Sequence, residues 1–311
     1  MVTFASMKAV RIHKFGGPEV LTYEDVEPPD PGPNEVLLRV RAAGVNPADW
    51  KVRSGTLGQA KLPLILGFDV SGTVERTGAA AKEFNLGDEL FGRVPIGRDG
   101  AYAEFVAVPA TELVKKPSSI DHIHAAAIPV AGLTAWQALD AMQLSSGQTV
   151  LVHGAAGAVG SFATQLARFR GLNVIATAPG EDAAFVRELG AALVIDYKSQ
   201  RFEDVVHDVD AVLDVVGGDT YLRSWRVLKP NGVIVSTVGS REVPPGAKGR
   251  AVAIVSKSDR TQLAQLANLV AERVIKVRIG QVLPLSEARK AHELGESGKV
   301  RGKIVLEVAG R

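Results

Sequence analysis

The chain contains no cysteine among its 311 residues. Disulfides and thiolate metal sites are therefore excluded, and a reducing compartment is compatible. Histidine is sparse too, with six scattered residues. A zinc ion needs several His, Cys or carboxylate ligands meeting at one point, and nothing in the sequence offers that. Excess charge is also lacking. The 36 Lys and Arg residues nearly balance the 34 Asp and Glu residues, for a net charge of +2. That is too mild and too evenly spread for a nucleic-acid footprint. Long apolar runs are missing as well. The most apolar stretch, 125–142, carries Pro129, Gly132, Thr134, Gln137 and Asp140, whereas a membrane span needs about 20 mostly apolar residues. The opening residues MVTFASMKAVRIHKFG lack the apolar core of a signal peptide. The expectation is a cytoplasmic protein with no nucleic-acid or membrane partner, long enough for two domains.

What is present changes character along the chain. Up to about residue 115, short apolar runs at 36–40, 70–75, 89–91 and 102–108 alternate with Gly, Pro and Asp turns. Many short strands with such turns suggest a compact, barrel-like β-rich domain. Residues 122–142 read as helix, broken near Pro129–Gly132. Strands at 149–153, 173–177, 193–196, 211–216 and 232–237 then alternate with helices at 159–170, 181–189 and 221–227. Continuous apolar strands such as VLV and VLDVV imply a parallel sheet covered on both faces. A helix at 260–271 and strands at 282–285 and 303–308 close the chain. That tail is like the front of the chain, so a discontinuous first domain, 1–124 plus 278–311, is expected around an inserted domain at 125–277.

The strongest local signal is TVLVHGAAGAVGSFATQLAR at 149–168. A buried strand runs into a turn with Gly154, Gly157 and Gly160, and a helix begins at Ala158 and Val159. Such a turn needs backbone torsions that a Cβ resists, close approach to a pyrophosphate, and free N–H groups at a helix start. Ala155 stands where the common glycine pattern has its first glycine, so the match is to a variant. The strand before and the helix after raise it above a lone glycine motif. The next strand ends Ile175-Ala176-Thr177-Ala178-Pro179 with no acid. Dinucleotide sites for NAD usually place an acid there to hold the ribose hydroxyls. NADP(H) is therefore favoured, with Lys198 or Arg201 able to supply charge. Glu181 and Asp182 argue the other way.

Blocks along nearly the whole chain carry a family resemblance: MKAVRIHKFGGPEVL, GVNPADWKVRSG, LGFDVSGTVERTG, GDELFG, GAYAEFVAV, AAIPVAGLTAWQAL, HGAAGAVG, LGAALVIDY, DVVGG and GKVRGKIVLEV. The chain resembles the medium-chain dehydrogenase/reductase superfamily, in its zinc-free quinone oxidoreductase branch. The resemblance implies an α/β protein: a GroES-like β-rich catalytic domain plus a Rossmann domain with a doubly wound parallel sheet. Zinc-dependent relatives carry a Cys in the loop at 44–46 and Gly-His-Glu at 67–69. Here Asn46 and Gly67-Phe68-Asp69 stand there. The implied chemistry is NADP(H)-dependent, zinc-free hydride delivery to a quinone, enal or enone. A regulatory or structural, crystallin-like protein with little turnover, or a free-standing enoyl reductase, are the alternatives. A homodimer through 251–256 is expected by the same resemblance.

Several residues become candidates on these grounds. Asn46 stands at a former metal-ligand position and could bond a substrate oxygen, or could simply favour the turn before Pro47. Asp49 and Lys51 could meet substrate or cofactor, or form an exposed ion pair; Trp50 between them reads as core. Asp69 reads either as a polar group of the site or as a turn acid. Thr134 in AGLTAW, Thr177 and Tyr197 are expected beside the cofactor. So are Val216, Gly217, Val238 and Gly239 at carboxyl ends of sheet strands, where open α/β sheets bind ligands. Lys303 resembles a position near the cofactor, with a plain surface lysine as the alternative. His122 and His124 read as helix-start residues, and His153 as a satisfied histidine at a strand end.

Overall fold

A computed structural model of the protein describes residues 6–58 and 61–308. The start of the N-terminal stretch and residues 59–60 of the loop 53–63 lie outside the described residues. The chain divides into two units. One holds the described residues up to Val130, Ser258–Ala271 and those from Ile279 onward; the other holds Ala131–Lys257 and Glu272–Arg278.

The first unit opens with β1 (Met7–Ile12), β2 (Leu21–Val26), β3 (Glu35–Val45), β4 (Leu64–Ile65), β5 (Asp69–Thr77), β6 (Glu89–Arg93), β7 (Phe105–Pro109) and β8 (Leu113–Lys115), with helices α1 (Pro47–Arg53) and α2 (His122–Ala125). The second unit carries α3 (Pro129–Met142), whose first two residues count with the first unit. Then come β9 (Thr149–Val152), α4 (Ala158–Phe169), β10 (Asn173–Ala178), α5 (Ala183–Glu188), β11 (Leu193–Asp196), β12 (Val209–Asp214), α6 (Gly218–Ser224), β13 (Leu228–Ser236) and β14 (Arg250–Ala253). The chain re-enters the first unit with α7 (Arg260–Ala271), β15 (Ile279–Pro284), α8 (Ala288–Glu296) and β16 (Lys303–Glu307).

In the first unit, a sheet ordered β15-β16-β3-β5-β6-β8, with β7 also on β3, lies with a smaller sheet β2-β1-β4. β3 is its longest strand. It alternates apolar residues inward from Val36 and pairs antiparallel with β5, β7 and β16. Leu37, Leu38, Phe68, Leu90, Leu113 and Leu306 fill the core between the sheets. Full burial of such side chains contributes about 1.5–3 kcal/mol each.

The second unit is a parallel sheet ordered β11-β10-β9-β12-β13-β14. Val150, Leu151 and Val152 on β9, and Val212 and Leu213 on β12, are fully buried. Such strands read as unbroken apolar runs because helices cover both faces. Strand order reverses between β9 and β12, the point at which open sheets of this kind open a ligand crevice at their carboxyl ends. The expected break in the helix 122–142 falls before Pro129, which opens α3 at a position where its missing N–H costs nothing. Gly132 sits inside α3 without interrupting it.

Candidate active site

In the first unit, four polar side chains converge where β3 runs into α1. The antiparallel register sets Ile304 of β16 opposite Val45 of β3. That brings Lys303 beside Asn46, 257 residues apart in sequence. The Lys303 ammonium donates to Asn46 Oδ1 and, at 2.6 Å, to Asp69 Oδ2. Asn46 Nδ2 donates to the same Asp69 oxygen at 2.9 Å. Asp69 Oδ1 accepts the Val130 N–H at the start of α3, at 2.8 Å. Gly44 on β3 must be glycine for this packing, because a Cβ there would stand 2.7 Å from Asp69 Oδ2 and against the Ala126 carbonyl.

Asp49 lies in the third position of α1 and has no exposed surface. Its carboxylate accepts the Asn46 N–H at 2.7 Å and the Gly67 N–H at 3.0 Å. The first bond caps the helix start; a carboxylate near that end also complements the helix dipole. Burial pushes the Asp49 pKa up to about 7, with the Asp69 charge adding to the rise, against the lowering effect of the two N–H donors and Lys303.

Behind Asp49 runs a buried chain that sequence reasoning missed. Arg53 is 2% exposed and donates through Nη1 to His292 Nδ1 at 2.8 Å, through Nη2 to Glu296 Oε1 at 2.7 Å, and through Nε to the Gly16 carbonyl. Arginine only donates, so His292 Nδ1 accepts and its proton sits on Nε2. Nε2 then donates to the Tyr102 hydroxyl at 3.2 Å. Burial, with the Asp49 and Asp69 charges nearby, holds the Tyr102 pKa well up. These residues stand on α1, α8 and the segment before β7, and no spacing in the sequence links them.

In the second unit, the turn after β9 is built as its glycines suggest, with one difference. Gly154 is left-handed at φ +65°, and a Cβ there would meet Val215 Cγ2 at 2.9 Å. Gly160 would drive a Cβ into the Gly154 carbonyl, so it sets how closely α4 packs on β9. Gly157, the N-cap of α4, has φ −79°. Its torsion suits any residue, and its bareness leaves the backbone open: a Cβ there would meet only the Gly154 oxygen, 3.3 Å away. Gly154, Gly157, Ala158 and Val159 are half-buried, while the rest of the turn is buried.

His153 ties this turn down. Ser224 donates its hydroxyl proton to the Thr220 carbonyl at 2.7 Å, so it accepts from His153 Nε2 at 2.9 Å. His153 Nδ1 then accepts from Thr177 Oγ1 at 3.1 Å, and Thr177 in turn accepts the Gly154 N–H at 3.3 Å. Burial holds the His153 pKa down to about 3, helped by the Arg223 charge. Thr177 thus shapes the turn through its hydroxyl. Asp214 at the end of β12 does the same for the neighbouring loop: it accepts the Val216 and Gly217 N–H groups at 3.0 and 2.7 Å, and the Ser236 hydroxyl at 2.9 Å. Its signal was an acid inside the apolar run VLDVV.

The remaining candidates separate. Gly217 (φ +80°) and Gly239 (φ +96°) are left-handed turns after β12 and β13. Val216 and Val238 are exposed there at 54% and 40%. Thr134 is buried and donates to Ser256 Oγ at 2.9 Å. Tyr197, exposed, follows β11. Of the readings of Lys51, the exposed ion pair fails: its side chain is exposed, but among the described residues it forms no ion pair with Asp49, which lies buried with Asn46 and Gly67. The lysine of the cluster is Lys303, and the surface-lysine alternative for it fails, since it is 3% exposed. His122 and His124 lie in the short helix α2, which His122 opens. Trp50 is half-buried, edge-on to His292.

Comparison with known proteins fits this geometry. Residues 32–118 match the family described as Alcohol dehydrogenase GroES-like domain, and residues 189–306 the family described as Zinc-binding dehydrogenase. The chain is 34% identical to the human protein named NAD(P)H oxidoreductase RTN4IP1, mitochondrial, over 97% of this chain and 89% of that one. It is 33% identical to the rat protein named quinone oxidoreductase, over 96% and 97%. The structure of the quinone oxidoreductase from Coxiella burnetii matches with a TM-score of 0.90 at 36% identity, covering 98% of this chain and all of the other. The chain belongs to the medium-chain dehydrogenase/reductase family of oxidoreductases, with a GroES-like β-rich domain and a Rossmann doubly wound domain. Among the described residues, no helix is long and apolar enough to cross a membrane.

Proposed function

We propose that the protein is an NADPH-dependent, zinc-independent reductase of quinones or of the activated C=C bond of enals and enones. The observation that carries this reading is the ammonium of Lys303 gripping Asn46, at the former metal-ligand position, and Asp69, in the segment where zinc-dependent relatives carry Gly-His-Glu. That donor set does not suit zinc. It contains no thiolate or imidazole, its one carboxylate is already paired, and among the described residues no three His, Asp or Glu side chains form a group able to hold a metal. The names of the relatives, quinone oxidoreductase among them, support the acceptor class.

The glycine turn suits a dinucleotide. The N–H groups of Ala158 and Val159 at the start of α4 would receive the pyrophosphate beside the bare backbone of Gly157, whose own N–H is spent on the Gly154 carbonyl at 3.0 Å. The left-handed turns at Gly217 and Gly239 would border it, and Thr134, Tyr197 and the exposed Val216 and Val238 would flank its two ends. When bound, the nicotinamide supplies the hydride. Asn46 would hold the substrate oxygen, and Asp49 would orient Asn46 through its backbone N–H. Within this reading, the protein is cytoplasmic and a homodimer through the sheet edge at β14, where Val255 is exposed at 74%.

NADPH is favoured over NADH because Lys198, after β11, reaches Glu181, after β10, at 2.7 Å. Glu181 is the acid that could hold ribose hydroxyls, and a cation beside it suits a 2′-phosphate. Lys198→Ala should lower the NADPH-to-NADH ratio of kcat/KM by about five- to tenfold, the effect of an exposed charge-assisted contact. An unchanged ratio, or a wild type that prefers NADH, contradicts the cofactor assignment.

A further inference from the structure

We propose that Lys303 and Asn46 together form a clamp for an anionic oxygen, the enolate or phenolate that a conjugated acceptor or quinone becomes on reduction. This rests on the reductase reading above and adds Lys303 to it as a residue that touches substrate. Two observations on the same two residues carry it.

The first is a count of donors. An ammonium has three N–H groups and a primary amide two. Lys303 uses one on Asn46 Oδ1 and one on Asp69 Oδ2; Asn46 uses one on Asp69 Oδ2. One N–H of each is left over, on adjacent groups whose other bonds fix their directions. The second is exposure. Asn46 and Lys303 each keep 3% of their surface accessible, whereas Asp49 and Asp69 keep none. What little of this cluster stays accessible belongs to the two residues that carry its donors, and none of it to its carboxylates. Such an arrangement offers an incoming oxygen two N–H groups, one of them charged. Preorganised donors of this kind favour developing negative charge on oxygen. Asp69 holds both donors in place, so it is a positioning residue.

The test uses 4-nitrophenol as a phenolate probe, with no cofactor added, and reads its absorbance while pH is titrated. The wild type should bind the phenolate form preferentially, lowering the apparent pKa of bound probe by about one unit, a tenfold preference for the anion. Lys303→Met should abolish the shift and Lys303→Arg should restore most of it. Since Lys303→Met strands a buried carboxylate, the neutral double variant K303M/D69N repeats the measurement with no stranded charge. Preserved preference in a folded K303M/D69N protein, or no probe binding by the wild type, overturns the clamp. Wild-type turnover of quinones and enones is measured alongside. Turnover with no Lys303 effect on probe binding sinks the clamp alone, and absent turnover with an intact probe shift sinks the reductase reading alone.

Discussion

His153 and His292 are both held neutral, because burial drives each pKa down to about 3. Their ordinary value is about 6.5 in an unfolded chain. Each therefore contributes stability that is full above about pH 6.5 and is lost as pH falls toward 3. Asp49 runs the other way. Its folded pKa of about 7 exceeds the unfolded value of about 3.9, so its contribution is full below about pH 4 and is lost as pH rises through 7. On acidification from pH 7 to 4 the histidines destabilise and Asp49 partly offsets them. Urea unfolding across that range should show the wild type losing stability with falling pH. His153→Gln or His292→Gln should flatten the slope by up to about 1.4 kcal/mol per pH unit, and Asp49→Asn should steepen it by a similar limit. The opposite pair of slopes would mean that burial does not set these charge states. At this scale the sequence was legible where the element a residue belongs to settles its burial, even when its partners, as Thr177 and Ser224 for His153, come from elsewhere in the chain. His153 as a satisfied strand-end histidine follows from the strand it ends. Asp49 buried rather than paired with Lys51 does not, because the cause is Gly67 and Tyr102 arriving from elsewhere.

At the scale of elements, the turn between β9 and α4 gives each glycine a separate job, and three alanine variants separate them. Gly160→Ala should cost about 1–3 kcal/mol by overpacking α4 against the turn, and Gly154→Ala about as much through its left-handed torsion. Gly157→Ala should leave stability within about 0.5 kcal/mol, since its torsion is ordinary and a Cβ would meet only the Gly154 oxygen, 3.3 Å away. All three should weaken NADPH binding, measured by fluorescence titration; Gly157→Ala does so without moving the melting temperature. Equal melting losses at all three positions would contradict this division. The same turn shows what pattern reading can reach. Strand 193–196 and helix 260–271 end where the apolar periodicity ends. β2 escaped notice because most of its residues are exposed or half-buried and it pairs on one side only, with β1. α8 escaped because its buried face is Ala288, Ala291 and His292, which no apolar count registers.

At the scale of the whole molecule, the family and both domain types were legible because the blocks that carry the resemblance run from one end of the chain to the other in family order. What was not legible is the meeting of the two ends within the first unit. β16 reads as a strand from its own residues, but only its antiparallel register with β3 sets Lys303 against Asn46. Lys303 was expected near the cofactor from the resemblance alone, and its buried partners Asn46 and Asp69 follow only from the register. A lysine bonded to the former metal-ligand position Asn46 and to Asp69 also carries the central chemical claim, reduction of a conjugated acceptor without zinc. The measurement that tests it most directly is NADPH oxidation by chelator-treated protein, against a quinone, an enone, a simple aldehyde and, with NADP, a simple alcohol. Turnover of the quinone or enone that chelation leaves unchanged is the expected result. Turnover confined to the aldehyde or alcohol, and appearing only when zinc is added back, would contradict it.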